Sequence, residues 1–184
     1  KDHGMKILGI DPMPGIAAKA TKNGIPTISN FFSENFSKEI KKKYGTATVI
    51  SSNNLVADTD DLDEFIKGVK HLMDKDSIFF FETFYFYLQI KNFVWDFTYH
   101  EHYSYLSLNT VSKIFNQAGL KIWHAEELTT HGGSLRVFGC HEKNQTSWLN
   151  SAVMKYISVE QRNNRTLITE AMKKDDGGVP TQEL

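Results

Sequence analysis

Short apolar runs and helix-spaced stretches alternate along the first half of the chain, with little sequence between them. Met5 to Ile10, Ile25 to Ser29, Thr48 to Ser51 and Ser77 to Glu82 are the apolar runs, each of strand length. Pro14 to Lys22, Glu34 to Lys43 and Asp61 to Met73 separate them. Pro14 suits a first helical turn, Asn23-Gly24 stops that helix, and Ser33 can cap the next. Leu62, Phe65, Ile66, Val69 and Leu72 put an apolar stripe on the third. Strands joined through helices by short connections leave one solution, a parallel sheet with helices on its faces.

Past Glu82 the pattern changes. Thr83 to Trp95 is strongly aromatic and reads as helical or irregular. Ser107-Leu108 opens a helix carrying Leu108, Val111, Ile114 and Phe115, which ends at Gly119. Leu120 to Leu128 is a strand, His131-Gly132-Gly133-Ser134 a turn, and Leu135 to Gly139 a last strand antiparallel to its neighbour. Trp148 to about Lys173 reads as a further helix. The domain expected is 1–141, followed by a helical segment, 142–184.

In open α/β sheets, ligands bind beyond the carboxyl ends of the strands. Asp11, Asn53, Asn54 and Glu82 all fall there. An acid in the place of Asp11 accepts hydrogen bonds from ribose hydroxyls; the competing role is to cap the helix at Pro14. Phe31-Phe32 follows the second strand, and Phe32 is expected to pack on an adenine, unless it joins the core.

The densest chemistry lies in Phe97-Thr98-Tyr99-His100-Glu101-His102-Tyr103-Ser104-Tyr105. Neither helical nor strand periodicity gives this stretch a clean apolar face. Histidine titrates nearest neutrality, a carboxylate can orient it, and phenols can donate to a developing oxyanion. The alternatives are a polar aromatic knot with satisfied hydrogen bonds, or a His-x-His chelate, for which no third ligand stands at a suitable spacing.

Composition narrows the classes. Lys and Arg number 21 against 22 Asp and Glu, so no basic field points to nucleic acid or anionic membrane. The most apolar run, Ile78 to Phe81, is too short to span a bilayer. The single cysteine, Cys140, excludes an intrachain disulfide and a thiolate zinc cluster, which fits a reducing cytoplasm. Lys1 to Gly4 leads straight into a core-type strand and no Gly-x-Gly turn precedes Met5, so a partial chain is expected. A sheet edge left open in this way favours self-association.

Leu8-Gly9-Ile10-Asp11-Pro12, Asn53-Asn54, Tyr99-His100-Glu101-His102, Tyr105, Ser107-Leu108, Gly119-Leu120 and His131-Gly132-Gly133-Ser134-Leu135-Arg136 occur in this order. Together they resemble the S-adenosylmethionine (SAM)-dependent C-methyltransferases of nucleotide-linked keto-deoxysugars. The resemblance implies a Rossmann-like class I methyltransferase sheet, incomplete on its N-terminal side, with helices on both faces. It implies SAM as cofactor and S-adenosylhomocysteine as product, with zinc held in full-length relatives by a lobe whose ligands this chain lacks. It makes His102 the general base, with Tyr99, His100 and Glu101 beside it. Asp11, Asn53, Asn54 and Phe32 would hold the cofactor, and His131, Ser134 and Arg136 the nucleotide sugar. The alternatives are a non-catalytic binding domain of the same fold, or an O- or N-methyltransferase of a small molecule.

Overall fold

The computed structural model describes residues 4–94, 96, 98–144, 157 and 160. Its first unit is small. Strand β1 (Gly9–Asp11) pairs in parallel with β2 (Thr27–Ser29) through helix α1 (Pro14–Lys22). Gly9 lies opposite Thr27, whose Oγ1 would stand 2.5 Å from a Cβ added at Gly9, so this approach requires glycine. The expected strand over Met5 to Ile10 is shortened, and Met5 and Ile7 remain exposed, because β2 offers only three residues of edge to pair with.

Helix α2 (Glu34–Tyr44) starts at Ser33, whose hydroxyl accepts from the Phe36 amide at 3.1 Å. It packs beside α3 (Leu62–Leu72), capped by Asp61 through the Glu64 amide at 2.9 Å. Lys41 donates across the pair to the His71 carbonyl.

The larger sheet has the order β3-β4-β6-β5. Strands β3 (Val49–Asn53) and β4 (Ile78–Phe84) are parallel, as the short crossovers require. Strand β6 (Ser134–His141) inserts antiparallel between β4 and β5 (Leu120–Leu128). The single expected sheet is thus divided: among the described residues β1 pairs only with β2, and β3 only with β4.

Helix α5 (Leu108–Gln117) connects to β5 and covers the same sheet face as α3. Phe65, Phe79, Phe81 and Phe115 meet there with ring centroids 5.6–6.4 Å apart. Gly139 of β6 lets the Phe115 ring lie where its side chain would be; an added Cβ would come within 2.3 Å. By strand alternation the opposite face carries Phe80, Glu82 and Phe84. Phe80 stacks there on Phe138, which in turn meets Trp123 and His124. The aromatic stretch after β4 forms the short helix α4 (Phe86–Asn92); Trp95 and Phe97 lie outside the described residues, as does the helix expected over Trp148 to Lys173, apart from Ile157 and Glu160. No described helix is long and apolar enough to cross a membrane.

Glu160 bridges two elements. Its carboxylate accepts from the Leu108 and Asn109 amides at 2.9 and 2.8 Å, and from the Tyr85 hydroxyl. It therefore satisfies the amino terminus of α5 alongside the Ser107 cap, where the helix dipole favours an anion. Burial, then the neighbouring carboxylate, push the Tyr85 phenol well above its ordinary value.

Candidate active site

The histidine stretch folds onto the carboxyl ends of β3 and β4. The amides of Tyr103 and Ser104 both donate to the carbonyl of Ala57, at 2.9 and 3.0 Å, within the 3-10 turn Val56–Asp58 that follows β3. The Phe86 amide donates to the Leu106 carbonyl, which fixes the far end of the stretch to the start of α4. Immediately before the first of these anchors the loop places His102 over Phe84, the last residue of β4, with ring centroids 4.2 Å apart.

The His102 side chain is only 9% exposed. Tyr99 lies 4.3 Å away on a second side, and Tyr105 meets the ring edge-on at 6.1 Å. The Tyr99 carbonyl also accepts from the His102 amide. Expected neighbours Glu101 and His100 are both exposed. Among the described residues a carboxylate faces the imidazole from Asp58, whose Oδ1 stands 3.7 Å from His102 Nε2. Burial raises the Asp58 carboxyl above its ordinary range; His102 lowers it again and Glu101 adds to the rise. Sequence reasoning passed over Asp58. The one available signal was its place, just after Asn53-Asn54 at the end of a sheet strand.

Beside His102, on the same face of β4, lies a chain of charges. Glu82 accepts from Arg136 Nη2 at 2.9 Å and from the Thr130 hydroxyl at 3.0 Å. Arg136 also reaches Glu126 at 3.5 Å, and Glu126 pairs with His124 at 3.0 Å. Register explains the set, since Glu82, Arg136 and Glu126 are directly opposed on β4, β6 and β5. Arg136 thus ties the two carboxylates to the sheet, while its side chain stays 35% exposed.

The residues expected on the cofactor side lie at the ends of strands in two different sheets, Asp11 at the end of β1 and Asn53 and Asn54 at the end of β3. Asp11 Oδ1 accepts from the Met13 amide at 2.8 Å, a turn contact ahead of α1; the N-cap position is Met13 itself, with no side-chain cap, so Asp11 does not cap the helix. Its other carboxylate oxygen has no partner among the described residues. Asn53 faces Glu82 in register, and Asn54 turns the chain at φ 51°, its amide donating to the Glu82 carbonyl. Both asparagines are exposed.

Two expected contacts are corrected. Phe32 packs edge-on against Phe65 at 5.3 Å, over the space left by Gly68, and belongs to the core. Its neighbour Phe31 is 76% exposed and is the ring open to a planar ligand. Ser134 is fully buried and its hydroxyl donates to the Thr130 carbonyl at 3.0 Å, so it shapes the turn instead of touching a ligand. His131, in that turn, is exposed at φ 53°. The described residues contain no group of three or more His, Cys, Asp or Glu side chains placed to hold a metal ion.

Comparison with known proteins gives this architecture a context. The methyltransferase-domain family matches residues 1–125. C-methyltransferase NovU of Streptomyces niveus is 33% identical over 138 residues, covering 75% of this chain and 33% of NovU. The chain therefore spans about one-third of the length of that relative. Magnesium protoporphyrin IX methyltransferase of Synechocystis PCC 6803, solved with bound SAH, aligns with a TM-score of 0.56 at 11% identity, over 76% of this chain and 66% of its own. A SAM-dependent methyltransferase of Thermotoga maritima gives 0.56 at 13% identity, over 74% and 73%. At these identities the two structures speak to the fold alone, that of the class I SAM-dependent methyltransferases.

Proposed function

Because the chain belongs to the methyltransferase-domain family, we propose that its carboxyl-edge site serves SAM-dependent C-methylation of a nucleotide-linked keto-deoxysugar. The observation that carries this reading is the seating of His102. A nearly buried imidazole lies at the end of β4, flanked by two tyrosines and adjacent to the place where an α/β sheet binds its ligand. The 33% identity to C-methyltransferase NovU over 138 residues supports carbon as the methyl acceptor.

The residues at the ends of β1 and β3 fit the cofactor. The unpartnered oxygen of Asp11 can accept from a ribose diol, Phe31 offers an open ring to adenine, and Asn53 and Asn54 border the reacting end. SAM, when bound, supplies an electrophilic methyl group. The protein's own part is deprotonation. A carbon beside a ketone gives up its proton only if the enolate is stabilised. His102 takes that proton, and the Tyr99 hydroxyl or His100 donates to the enolate oxygen, each well-placed donor contributing on the order of 3 kcal/mol. The loop anchors at Ala57 and Leu106 hold the base in position before substrate arrives, which lowers the entropic barrier. Arg136 steadies Glu82, and its exposed edge, with His131, faces the phosphate side of a nucleotide sugar. A reducing cytoplasm is the proposed compartment.

Deuterium wash-in separates this chemistry from O- or N-methylation. With a nucleoside-diphosphate keto-deoxyhexose in D2O, C-methylation requires exchange of the proton beside the ketone without turnover. An O- or N-methyltransferase has no base at that carbon and leaves the proton in place. Absence of exchange on a sugar shown to bind overturns the reading.

A further inference from the structure

The carboxylate that faces His102 comes from outside its own loop. Glu101 is adjacent in sequence but exposed. Asp58 reaches the imidazole from a different element, the turn after β3, and that turn is stitched to the histidine loop by two backbone hydrogen bonds to Ala57. The loop and the turn are therefore one unit, and the distance between Asp58 and His102 is set by backbone. Phe84 and Tyr99 hold the ring from two sides, leaving its Nε2 edge turned to Asp58.

We propose that Asp58 is the positioning residue for the His102 base: it orients the imidazole through Nε2 and stabilises the imidazolium formed on proton transfer. This rests on the reading of His102 given above and adds a second residue to it. In the step concerned, the carbon–hydrogen bond beside the ketone breaks, its electron pair passes into the enolate and the proton goes to the imidazole. The cation so formed stands 3.7 Å from a carboxylate in a partly desolvated place, where opposite charges attract more strongly than in water. Without Asp58 the imidazolium formed in the step loses this counter-charge. The charged and titratable groups acting on Asp58 are His102 and Glu101, both from the histidine loop. Burial raises the carboxyl and Glu101 raises it further, so the pairing with His102 is what favours its ionised form.

Asp58→Asn keeps the shape and removes the charge. Exchange of the keto-sugar proton is measured across pH for the wild type, Asp58→Asn, Asp58→Glu, Glu101→Gln and His102→Ala, with SAH affinity measured on each. The expected result for Asp58→Asn is a rate lower by on the order of 100-fold, with unchanged SAH affinity. In Asp58→Glu, which keeps the negative charge, most of the lost rate returns, as a counter-charge requires and a shape contact does not. Glu101→Gln retains most of the rate. A wild-type rate in Asp58→Asn overturns the assignment, and so does a lower rate that Asp58→Glu fails to restore, which marks a packing role only. Persistence of exchange in His102→Ala overturns the base itself and the role of Asp58 with it. Loss in His102→Ala beside an unaffected Asp58→Asn removes Asp58 alone.

Discussion

His102→Ala lowers keto-sugar deprotonation by on the order of 1,000-fold, the range expected for loss of a positioned general base. The affinity for SAH stays unchanged, because the cofactor-side residues sit on β1 and β3 and do not touch the ring. The structure makes this variant interpretable. His102 lies over Phe84 and Tyr99 in a loop whose anchors are backbone hydrogen bonds, so removing the ring leaves the loop tied at Ala57 and Leu106. Two controls sharpen the result. His100→Ala, at an exposed position two residues before the base, lowers the exchange less than His102→Ala does. Phe84→Leu removes the aromatic floor but keeps the base, and reduces the rate less than His102→Ala does. Full activity in His102→Ala would transfer the base to His100.

The largest effect on folding is expected at Glu160. Its two oxygens take up the first amides of α5 and the Tyr85 hydroxyl, all in a buried place. Glu160→Ala leaves these donors without an acceptor, and the loss is about 3–5 kcal/mol. Glu160→Gln keeps an acceptor for the amides and costs about 1–2 kcal/mol. Urea unfolding followed by tryptophan fluorescence and far-UV circular dichroism measures both. A shift in midpoint no larger than that of an exposed substitution such as Glu101→Gln would show that α5 stands without its buried anion. Helix α5 also follows directly from the histidine loop, so its amino terminus and the base share one stretch of backbone from His102 to Asn109. Weakening that end is expected to reduce exchange as well as stability.

Much of this arrangement was legible in the residues. The alternation of apolar runs with capped helices dictated parallel pairing of β3 and β4, and Ser33 and Ser107 cap the helices they precede. The antiparallel end followed from the short turn at His131 to Ser134, which leaves no room for a crossover helix. What was not legible depended on distance in sequence or on packing between elements. Asp58 meets His102 only because the Ala57 carbonyl captures two amides of the loop, a contact with no local signature. Phe31 and Phe32 are adjacent and alike; which one enters the core is decided by Gly68 on α3, where a missing side chain admits the Phe32 ring. Ser134 has the polarity of a ligand contact, yet its place opposite Phe84 at the start of β6 buries it. The family resemblance assigns Arg136 to the nucleotide sugar. Strand register instead sets it between Glu82 and Glu126, and half of its function becomes structural.

The central claim is that the carboxyl edge formed by Asp11, Phe31, Asn53 and Asn54 holds the methyl-donor cofactor. Calorimetric titration of the 184-residue chain with S-adenosylhomocysteine tests it most directly. The account predicts saturable binding in the micromolar range, weakened at least tenfold in Asp11→Ala through loss of charge-assisted hydrogen bonds to the ribose. No heat of binding up to millimolar ligand, or binding of equal strength in Asp11→Ala, would contradict it.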